Sequence, residues 1–568
     1  MADVKTQGTA SVGAAGHAGY HGPIALVQTL LAPERGDLAV VGLFAIGVGV
    51  LNLATPIAVQ AIVNSIALGG LLQPLLVVAV FLAAALSFAA ALTMAQTWFV
   101  ELVQRRLFVR TLANVAARLI RVQAGAYAEG HGPEFVNRFF DVVTVQKALS
   151  KLVLDGLVVL LGVVVGLAVL AFYHPLLLAF DVVLLIIIVV IVFGPRRGGE
   201  KTSIKESSAK YAVVAWLEDL ARNPHAFKAH GAEHWVAQRT DALAGQWLAA
   251  RQKHFSILFG QIGSALALQV VASTALLGLG GLLVIGGSLT LGQLVAAELI
   301  VTSVVTSVAK LGRYIEHWYD LTAAAHKLDQ LLDLPLEPTG GEVPKDTAGR
   351  GARLELDGVA WCDGRGRPVF EVCTAEIGAG ERLAVMGPSG SGKSALLELL
   401  WRMHDPHEGA IRLDGRDLRD LDLSVLRKDV ALVSAVEVVH GTLRENVTLA
   451  RPNISGDDVR RAIRAVGLES AVAELPDGLE TELHPSTRAL SKGELERLML
   501  ARALAGAPRL LVVDGMFDRL PGPLREELLE ATLLSPAREW TLVLVTQDEA
   551  LAARCERTLR LVPARTET

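Results

Sequence analysis

Six apolar segments, each about long enough to cross a bilayer, constrain the fold of this chain more than any other feature. They lie at about 38–60, 75–97, 153–173, 176–194, 263–286 and 290–311. A helix needs about 20 apolar residues to cross the roughly 30 Å of hydrocarbon in a membrane. One such segment could be a buried helix of a soluble protein, but six of them predict an all-α polytopic membrane domain with six transmembrane helices.

The distribution of basic residues predicts the orientation of these spans. Arginine and lysine are concentrated in the long connections 98–152 and 195–262, whereas the short loops at 61–74 and 286–290 contain neither residue. Because cytoplasmic loops are enriched in Lys and Arg, we expect both long connections and both termini on the cytoplasmic side. The length of the connections predicts that spans 2 to 5 continue as helices well beyond the bilayer.

The second half of the chain has a different character. The whole chain is 52% hydrophobic and 20% charged, with a mean hydropathy of +0.43, which suits a membrane part joined to a soluble part. From residue 352, short apolar strands alternate with helices, which predicts a parallel α/β domain. We therefore predict four regions, namely a disordered N-terminus at 1–22, a transmembrane domain at 23–333, a linker at 334–351 and an α/β domain at 352–568. The net charge of −5 argues against a nucleic-acid partner.

A phosphate-binding loop follows one of the predicted strands. The segment "GPSGSGKS" fits the pattern G-x-x-x-x-G-K-[ST] between a strand and a helix, and it comprises Gly387, Pro388, Ser389, Gly390, Ser391, Gly392, Lys393 and Ser394. Its backbone N–H groups are expected to surround phosphates. Lys393 is expected to reach the β- and γ-phosphates, while Ser394 and Asp514, the last residue of the apolar strand "LLVVD", hold Mg²⁺. The predicted cofactors are ATP and Mg²⁺, which makes 352–568 a nucleotide-binding domain.

Further motifs follow in a characteristic order, namely "HDPHEGAIRLDG", "GTLRENVTLARP", "LSKGELERLMLARAL" and "TLVLVTQD". Together with the six spans, they resemble the exporter type of ABC transporter, in which a transmembrane half precedes a nucleotide-binding domain. The resemblance implies a half-transporter of the bacterial inner membrane, with a cytoplasmic nucleotide-binding domain, that pairs with a second half-transporter to move a substrate across the lipid membrane. Each ATP would lie between the phosphate loop of one chain and the signature loop of the other, here Ser491 and Gly493 of "LSKGE".

Two departures from the family pattern concern ATP hydrolysis. Gly515 stands directly after Asp514, where the family has a glutamate that acts as general base, and Gln547 replaces the switch histidine. Glycine cannot accept a proton, and glutamine cannot carry charge. The resemblance therefore implies a degenerate site that binds ATP but turns it over slowly or not at all. Asp518 and Glu494 are the carboxylates that could position the water instead.

Other departures lie around the same site. Ser434 or Ala435 occupies the position of the glutamine that senses Mg²⁺, and Pro521 stands where an aspartate is usual. The aromatic residue that stacks on adenine has no clear counterpart. Trp361 is the nearest candidate, but it fits the core of a strand equally well.

Alternatives remain open at this point. A heterodimer, in which a second chain supplies the catalytic residues, is preferred over a homodimer, and an ATP-gated channel or regulatory membrane protein that does not hydrolyse ATP is the alternative function. The transported substrate is unknown. Within the spans, Glu298 is a candidate functional acid, whereas Asp155 and Asp181 lie near span ends and are expected to be solvated.

Overall fold

The computed structural model describes residues 23–67, 72–129, 137–194, 196–229, 231–344, 351–364, 366–485, 489–534 and 540–564. The chain forms two compact units, the first comprising 1–122 and 126–336 and the second comprising 123–125 and 337–568. The boundary at 336 falls within the predicted linker. The predicted disordered segment 1–22 lies outside the described residues.

The first unit is built of helices. Their bounds are α1 Pro23–Leu31, α2 Arg35–Leu51, α3 Ala54–Ala67, α4 Leu72–Leu119, α5 Ala124–Glu129, α6 Asp141–Lys151, α7 Leu157–Tyr173, α8 Pro175–Phe193, α9 Arg196–Arg222, α10 Pro224–Ala229, α11 Glu233–Ile285 and α12 Leu291–Leu332. The first two residues of α5 are counted with the second unit. A helix satisfies its backbone hydrogen bonds internally, which is what a chain in hydrocarbon requires.

All six predicted spans fall on helices. Among the described residues, four helical stretches are long and apolar enough to cross a membrane, namely Ala25–Ala67, Gln73–Leu119, Arg138–Tyr173 and Glu233–Ile285. The other two predicted spans coincide with the shorter apolar stretches Pro175–Ile191 and Leu291–Val304. The first span differs from the prediction in one respect, because a turn at Asn52 and Leu53 separates α2 from α3.

Two helices are much longer than a bilayer is thick. Helix α4 has 48 residues and α11 has 53. At 1.5 Å per residue they measure roughly 70 and 80 Å, more than twice the hydrocarbon thickness. Both carry their charged residues in the half that belongs to a predicted cytoplasmic connection, which agrees with the predicted continuation of these spans beyond the bilayer.

The turn before α12 is closely packed. Thr290 forms a capping box, in which its hydroxyl accepts a hydrogen bond from the Gln293 N–H at 3.1 Å and its own N–H donates to the Gln293 side chain at 2.8 Å. The Gly292 N–H donates to the Asn64 side chain at 3.2 Å. A Cβ on Gly292 would come within 2.7 Å of the Gln60 carbonyl oxygen, so the start of α12 can approach α3 this closely only with glycine.

The second unit combines two main sheets with helices. Its strands are β1 Leu354–Ala360, β2 Cys373–Ile377, β3 Arg382–Met386, β4 Glu408–Leu413, β5 Arg416–Asp417, β6 Val430–Val433, β7 Gly441–Thr442, β8 Glu482–Leu483, β9 Leu510–Asp514, β10 Thr541–Val545 and β11 Arg557–Arg560. Its helices are α13 Lys393–Leu400, α14 Leu423–Asp429, α15 Leu443–Thr448, α16 Gly456–Ala465, α17 Glu469–Glu474, α18 Lys492–Ala505, α19 Gly522–Leu528 and α20 Glu549–Ala552.

The larger sheet determines where the site can form. Its strand order is β11-β3-β10-β9-β6, and all of its pairings are parallel, which confirms the predicted parallel α/β fold. The smaller sheet, β2-β1-β4-β5, is antiparallel. Strands β3, β9 and β10 are completely apolar in their middle and are buried. Because parallel strands end at the same edge, the loops after these three strands lie side by side, as is usual for ligand sites in such sheets.

Candidate nucleotide-binding site

The phosphate loop connects β3 to α13 in a conformation that depends on its glycines. Gly387, Gly390 and Gly392 all have positive φ angles. A Cβ on Gly387 would lie 2.6 Å from the Leu561 carbonyl oxygen, and one on Gly392 would lie 2.8 Å from the Phe370 ring. Both the backbone conformation and the available space therefore require glycine at these positions.

The remaining loop residues differ in exposure. Pro388, Ser389 and Gly390 form an exposed tip, whereas Ser391 is completely buried beneath it. The Ser391 N–H donates to the Pro388 carbonyl oxygen at 3.2 Å, which closes the turn. The result is a backbone loop that folds around a small space, the arrangement that suits a bound anion.

Lys393 and Ser394 lie at the start of α13, beside that loop. The Lys393 Nζ donates to the carbonyl oxygens of Gly387 and Pro388, each at 2.8 Å. The Ser394 hydroxyl donates to the Asp514 carboxylate at 3.3 Å. The structure therefore brings Lys393, the predicted phosphate-binding cation, together with the two predicted magnesium ligands. These ligands, Ser394 and Asp514, are 120 residues apart in the chain.

These residues fit a nucleotide with Mg²⁺. The loop offers a cradle that side chains would fill, and a lysine ammonium lies across it. The hydroxyl and carboxylate oxygens of Ser394 and Asp514 are the hard ligands that Mg²⁺ prefers. The second unit thus contains a donor set for both the phosphates and the metal.

Gly515, for which the sequence predicts the position of the general base, adopts a left-handed backbone conformation with φ +59°. Its N–H donates to the Val545 carbonyl oxygen at 3.0 Å, which ties the end of β9 to the end of β10. The nearest atom to an added Cβ is Nη1 of Arg519 at 3.9 Å. A side chain at this position would have space, but its backbone would be strained.

Asp518 holds the segment Thr546–Asp548 after β10, which we call the switch segment. Its carboxylate accepts hydrogen bonds from the Thr546 hydroxyl and, at 2.9 Å, from the Gln547 N–H. Both oxygens are therefore engaged. Asp518, one of the two carboxylates that could have replaced the base, instead connects the loop after β9 to the loop after β10.

The other departures occupy ordinary positions. Gln547, Ser434 and Ala435 are exposed at the ends of their strands. Pro521 directly precedes α19 as its N-cap residue. Trp361 directly follows β1 and is half-buried, and its ring packs against the apolar core with its centroid 5.4 Å from that of His404.

The signature segment starts helix α18 with a capping box. The Ser491 hydroxyl accepts from the Glu494 N–H at 3.4 Å, and the Ser491 N–H donates to the Glu494 carboxylate at 2.7 Å. The hydrogen bond from the Ser491 backbone lowers the pKa of Glu494, so this side chain is ionised at neutral pH. Gly493 lies in the first turn with open space around its Cα.

A cavity of about 360 Å³ lies beside this helix end. Its lining consists of Ser491–Glu494, Glu496, Arg497, the segment Arg519–Pro521 and Leu524. Glu496, which is 7% exposed, accepts from the Arg519 guanidinium at 3.2 Å. The signature helix is thereby joined to the loop after β9 through an ion pair that we did not predict.

Three side chains at this site form hydrogen bonds or ion pairs that the sequence analysis did not predict. The capping role of Glu494 had a visible signal, since S-x-x-E before an apolar run is the signature of a capping box. The partners of Asp518 and Glu496 had none, because they lie 28 and 23 residues away in the chain.

Comparison with known proteins agrees with this architecture. Residues 38–308 match the family model described as "ABC transporter transmembrane region", and residues 370–517 match the one described as "ABC transporter". The structure resembles that of a bacterial Atm1-family ABC exporter with ATP bound, with a TM-score of 0.82, 22% identity and 93% of each chain covered. At this identity, the likeness concerns the fold.

Two curated relatives are similar in sequence. A multidrug efflux ATP-binding/permease protein of Mycobacterium bovis is 32% identical over 54% of the chain, and a mycobactin import ATP-binding/permease protein of the same species is 30% identical over 62%. The chain spans only 26% of the length of the first and 61% of the second.

The two family matches are adjacent in one polypeptide and coincide with the helical unit and the parallel α/β unit. The apolar helices, together with the match to the transmembrane family model, place the first unit in the bacterial inner membrane, with the ATP-binding domain on the cytoplasmic side. The chain therefore belongs to the ABC transporter family, and in it a transmembrane domain of the exporter fold is fused to an ATP-binding domain.

Proposed function

We propose that the chain binds ATP·Mg at its phosphate loop and, paired with a second half-transporter, uses this binding to move a substrate out across the inner membrane. The observation that carries the proposal is the convergence of Lys393, Ser394 and Asp514 around a glycine loop. Lys393 would bind the β- and γ-phosphates, and Ser394 and Asp514 would hold Mg²⁺. The bound metal would neutralise phosphate charge.

We also propose that this site retains ATP rather than hydrolysing it. Gly515 has no proton-accepting group, and Asp518 already accepts two hydrogen bonds from the switch segment. Glu494 is committed to its own helix end. Loss of a general base alone reduces the rate by about 10²–10⁴-fold, so turnover at this chain's own phosphate loop should be very slow.

The signature loop is suited to serve a second site. Ser491 and Gly493 retain a hydroxyl and a backbone N–H at a helix N-terminus, which are the groups expected to contact a γ-phosphate. We propose that they face the phosphate loop of a different chain that supplies the glutamate and histidine. A heterodimer explains why the signature loop is kept while the glutamate and the histidine for hydrolysis are absent.

The direction of transport is the last part of the proposal. The fold is of the exporter type, and one relative is named for multidrug efflux, whereas another with the same two domains is named for mycobactin import. We propose outward transport, which accumulation of substrate inside inverted membrane vesicles would test directly.

ATP binding and turnover by the purified full chain test the proposal. Lys393→Ala should weaken equilibrium binding of ATP·Mg by about tenfold or more, since a charge-assisted hydrogen bond is worth roughly 1.5–3 kcal/mol. Lys428→Ala, a change at an exposed lysine on α14, serves as the matched control and should bind normally. The chain alone should turn over ATP well below about 1 s⁻¹, and a partner with an intact glutamate and histidine should restore turnover. Brisk turnover by the chain alone would contradict the assignment.

A further inference from the structure

Asp181 on α8 is an acidic residue buried inside the transmembrane domain. Contrary to our expectation of a solvated residue near a span end, it is only 4% exposed. Neither of its carboxylate oxygens has a hydrogen-bond partner in the structure. By contrast, Asp155 has a 47% exposed side chain and lies 3.6 Å from Lys151, as expected for a solvated acid.

The surroundings of Asp181 on its own helix are apolar. Leu177, Leu184 and Ile188 lie on the same face of α8, at the helical spacings i−4, i+3 and i+7, and all three are buried. They belong to the apolar core of the membrane unit. Asp181 therefore faces the interior of the helix bundle rather than lipid or water.

The neighbouring helix α11 supplies no polar partner either. The Gln261 side chain donates to the Ile191 carbonyl oxygen at 3.4 Å, which shows that these two residues lie at the same level of the two helices. Asp181 lies ten residues before Ile191, and Ala272 lies eleven residues after Gln261. Because the two helices run in opposite directions and rise equally per residue, Asp181 lies near the level of Ala272. The buried α11 residues around that level are apolar, namely Leu268, Ala272 and Leu276.

Among the described residues of the spans that pack against α8, no cation lies near the level of Asp181. Lys310 on α12 lies about 13 residues further along its helix than that level, which is roughly 20 Å along the axis. Helix α11 has no charged residue after His254, and α7 has none along its length. Tyr173, at the end of α7, donates its hydroxyl to Gln60 at 2.6 Å. Between 291 and 309, the only ionisable residue of α12 is Glu298, which is itself acidic.

An ionised carboxylate in this environment would lack any compensating charge or hydrogen bond, and such groups become neutral instead. The low exposure of Asp181 also leaves no room for an organic cation beside it. We propose that Asp181 is a proton-binding acid of the transmembrane domain, which holds a proton in this conformation and releases it when the bundle rearranges and water reaches the carboxyl. The step is a simple acid–base exchange, in which the carboxylate takes H⁺ from water and later returns it.

This exchange would link the conformation of the bundle to pH. The conformation that buries Asp181 holds a proton that the exposed conformation gives up. By linkage, lower pH favours the buried conformation and higher pH favours the exposed one. Any cycle that alternates between the two conformations would then take up and release a proton, in addition to whatever the nucleotide does.

Infrared spectroscopy of the full chain in lipid discs tests the protonation directly and does not depend on nucleotide. A protonated carboxyl in a dry environment gives a distinct C=O stretching band. We expect this band at neutral pH in the wild type, its loss in Asp181→Asn, and its retention in the matched control Asp155→Asn. Absence of the band from the wild type, or its persistence in Asp181→Asn, would overturn the proposal. The wild-type spectrum alone can refute it if the variant does not fold.

A second measurement tests the release step, and this one rests on the proposed function. ATP·Mg added to the purified complex in weakly buffered lipid discs should change the signal of a pH indicator by about one proton per chain. Asp181→Asn should abolish this signal, and Asp155→Asn should not. An unchanged signal in Asp181→Asn would overturn the release step. Failure of ATP to bind at all would instead count against the nucleotide site, while the infrared result would stand.

Discussion

Replacing Gly515 with glutamate returns a carboxylate to the position of the missing base, yet we expect it to raise ATP turnover by less than about tenfold. The reason is the backbone of Gly515, whose φ is +59°. A glutamate would either adopt this left-handed conformation or force the loop after β9 to rearrange. In the first case, the glutamate side chain would point in a different direction from that of a residue with an ordinary, negative φ.

The cost of the substitution follows from the geometry. The nearest atom to an added Cβ is 3.9 Å away, so steric overlap contributes little. What remains is the backbone conformation, which costs a residue with a Cβ about 1–2 kcal/mol. We therefore expect Gly515→Ala and Gly515→Glu to destabilise the ATP-binding domain by about the same amount. Gly515→Asn should cost less, since asparagine tolerates this conformation better.

The assay combines two measurements on each variant. Thermal unfolding of the ATP-binding domain, monitored through hydrogen exchange of its core strands, reports the loss of stability caused by the strained backbone. Single-turnover ATP hydrolysis reports the chemical step. Gly515→Ala is the matched control, because it carries the same backbone cost without a carboxylate, and the double variant Gly515→Glu/Gln547→His asks whether the switch position is also limiting.

Two results would refute this reasoning. A rise in turnover of about 10² or more from Gly515→Glu alone would mean that the carboxylate reaches the water without the switch histidine. Equal stability of Gly515→Ala and the wild type would mean that the left-handed conformation is not required. The first result would overturn the proposed inert site, and the second would overturn only its structural explanation.

Three further predictions concern other parts of the chain. Asp518→Asn should loosen the switch segment, because one of the two hydrogen bonds that the Asp518 carboxylate accepts must be lost or weakened. Faster hydrogen exchange at Thr546 and the two residues after it would show this loosening, and unchanged exchange would contradict it. Ser288→Cys, in an exposed turn, should react with an impermeant thiol reagent in intact cells, whereas labelling only after lysis would invert the topology. The Arg382 guanidinium lowers the pKa of Glu556 to about 2. The stability that this pair contributes is therefore complete above the ordinary pKa of 4.5 and is lost as the pH falls toward 2. Glu556→Gln should remove that part of the acid dependence in unfolding scans at different pH, and an unchanged dependence would contradict the assignment.

Local patterns predicted much of the fold. Each span is encoded by a contiguous segment, and so is the phosphate loop, whose pattern of glycines, lysine and serine lies within eight residues. For this reason the positions of the helices, the parallel sheet and the loop could be predicted without tertiary information.

The incorrect or missing predictions have a common physical cause. The burial of Asp181 depends on how α8 is rotated against α11, which an almost uniformly apolar helix does not reveal. The role of Asp518 depends on a loop that follows a different strand. In both cases the environment of a single side chain is decided by packing between elements, whereas the pattern of residues reports only the element itself.

The capping box at Ser491 also determines what this helix end offers to an approaching anion. A helix N-terminus carries about half a positive charge, and here the Glu494 carboxylate accepts from the Ser491 N–H at 2.7 Å. Much of the fixed dipole is therefore compensated within the chain before any phosphate arrives. Lys492 adds a full positive charge at this surface, since it is exposed in the same turn and has a long, flexible side chain. Phosphate docking here should consequently weaken with added salt, because an exposed charge is screened within about 10 Å at 0.1 M ionic strength.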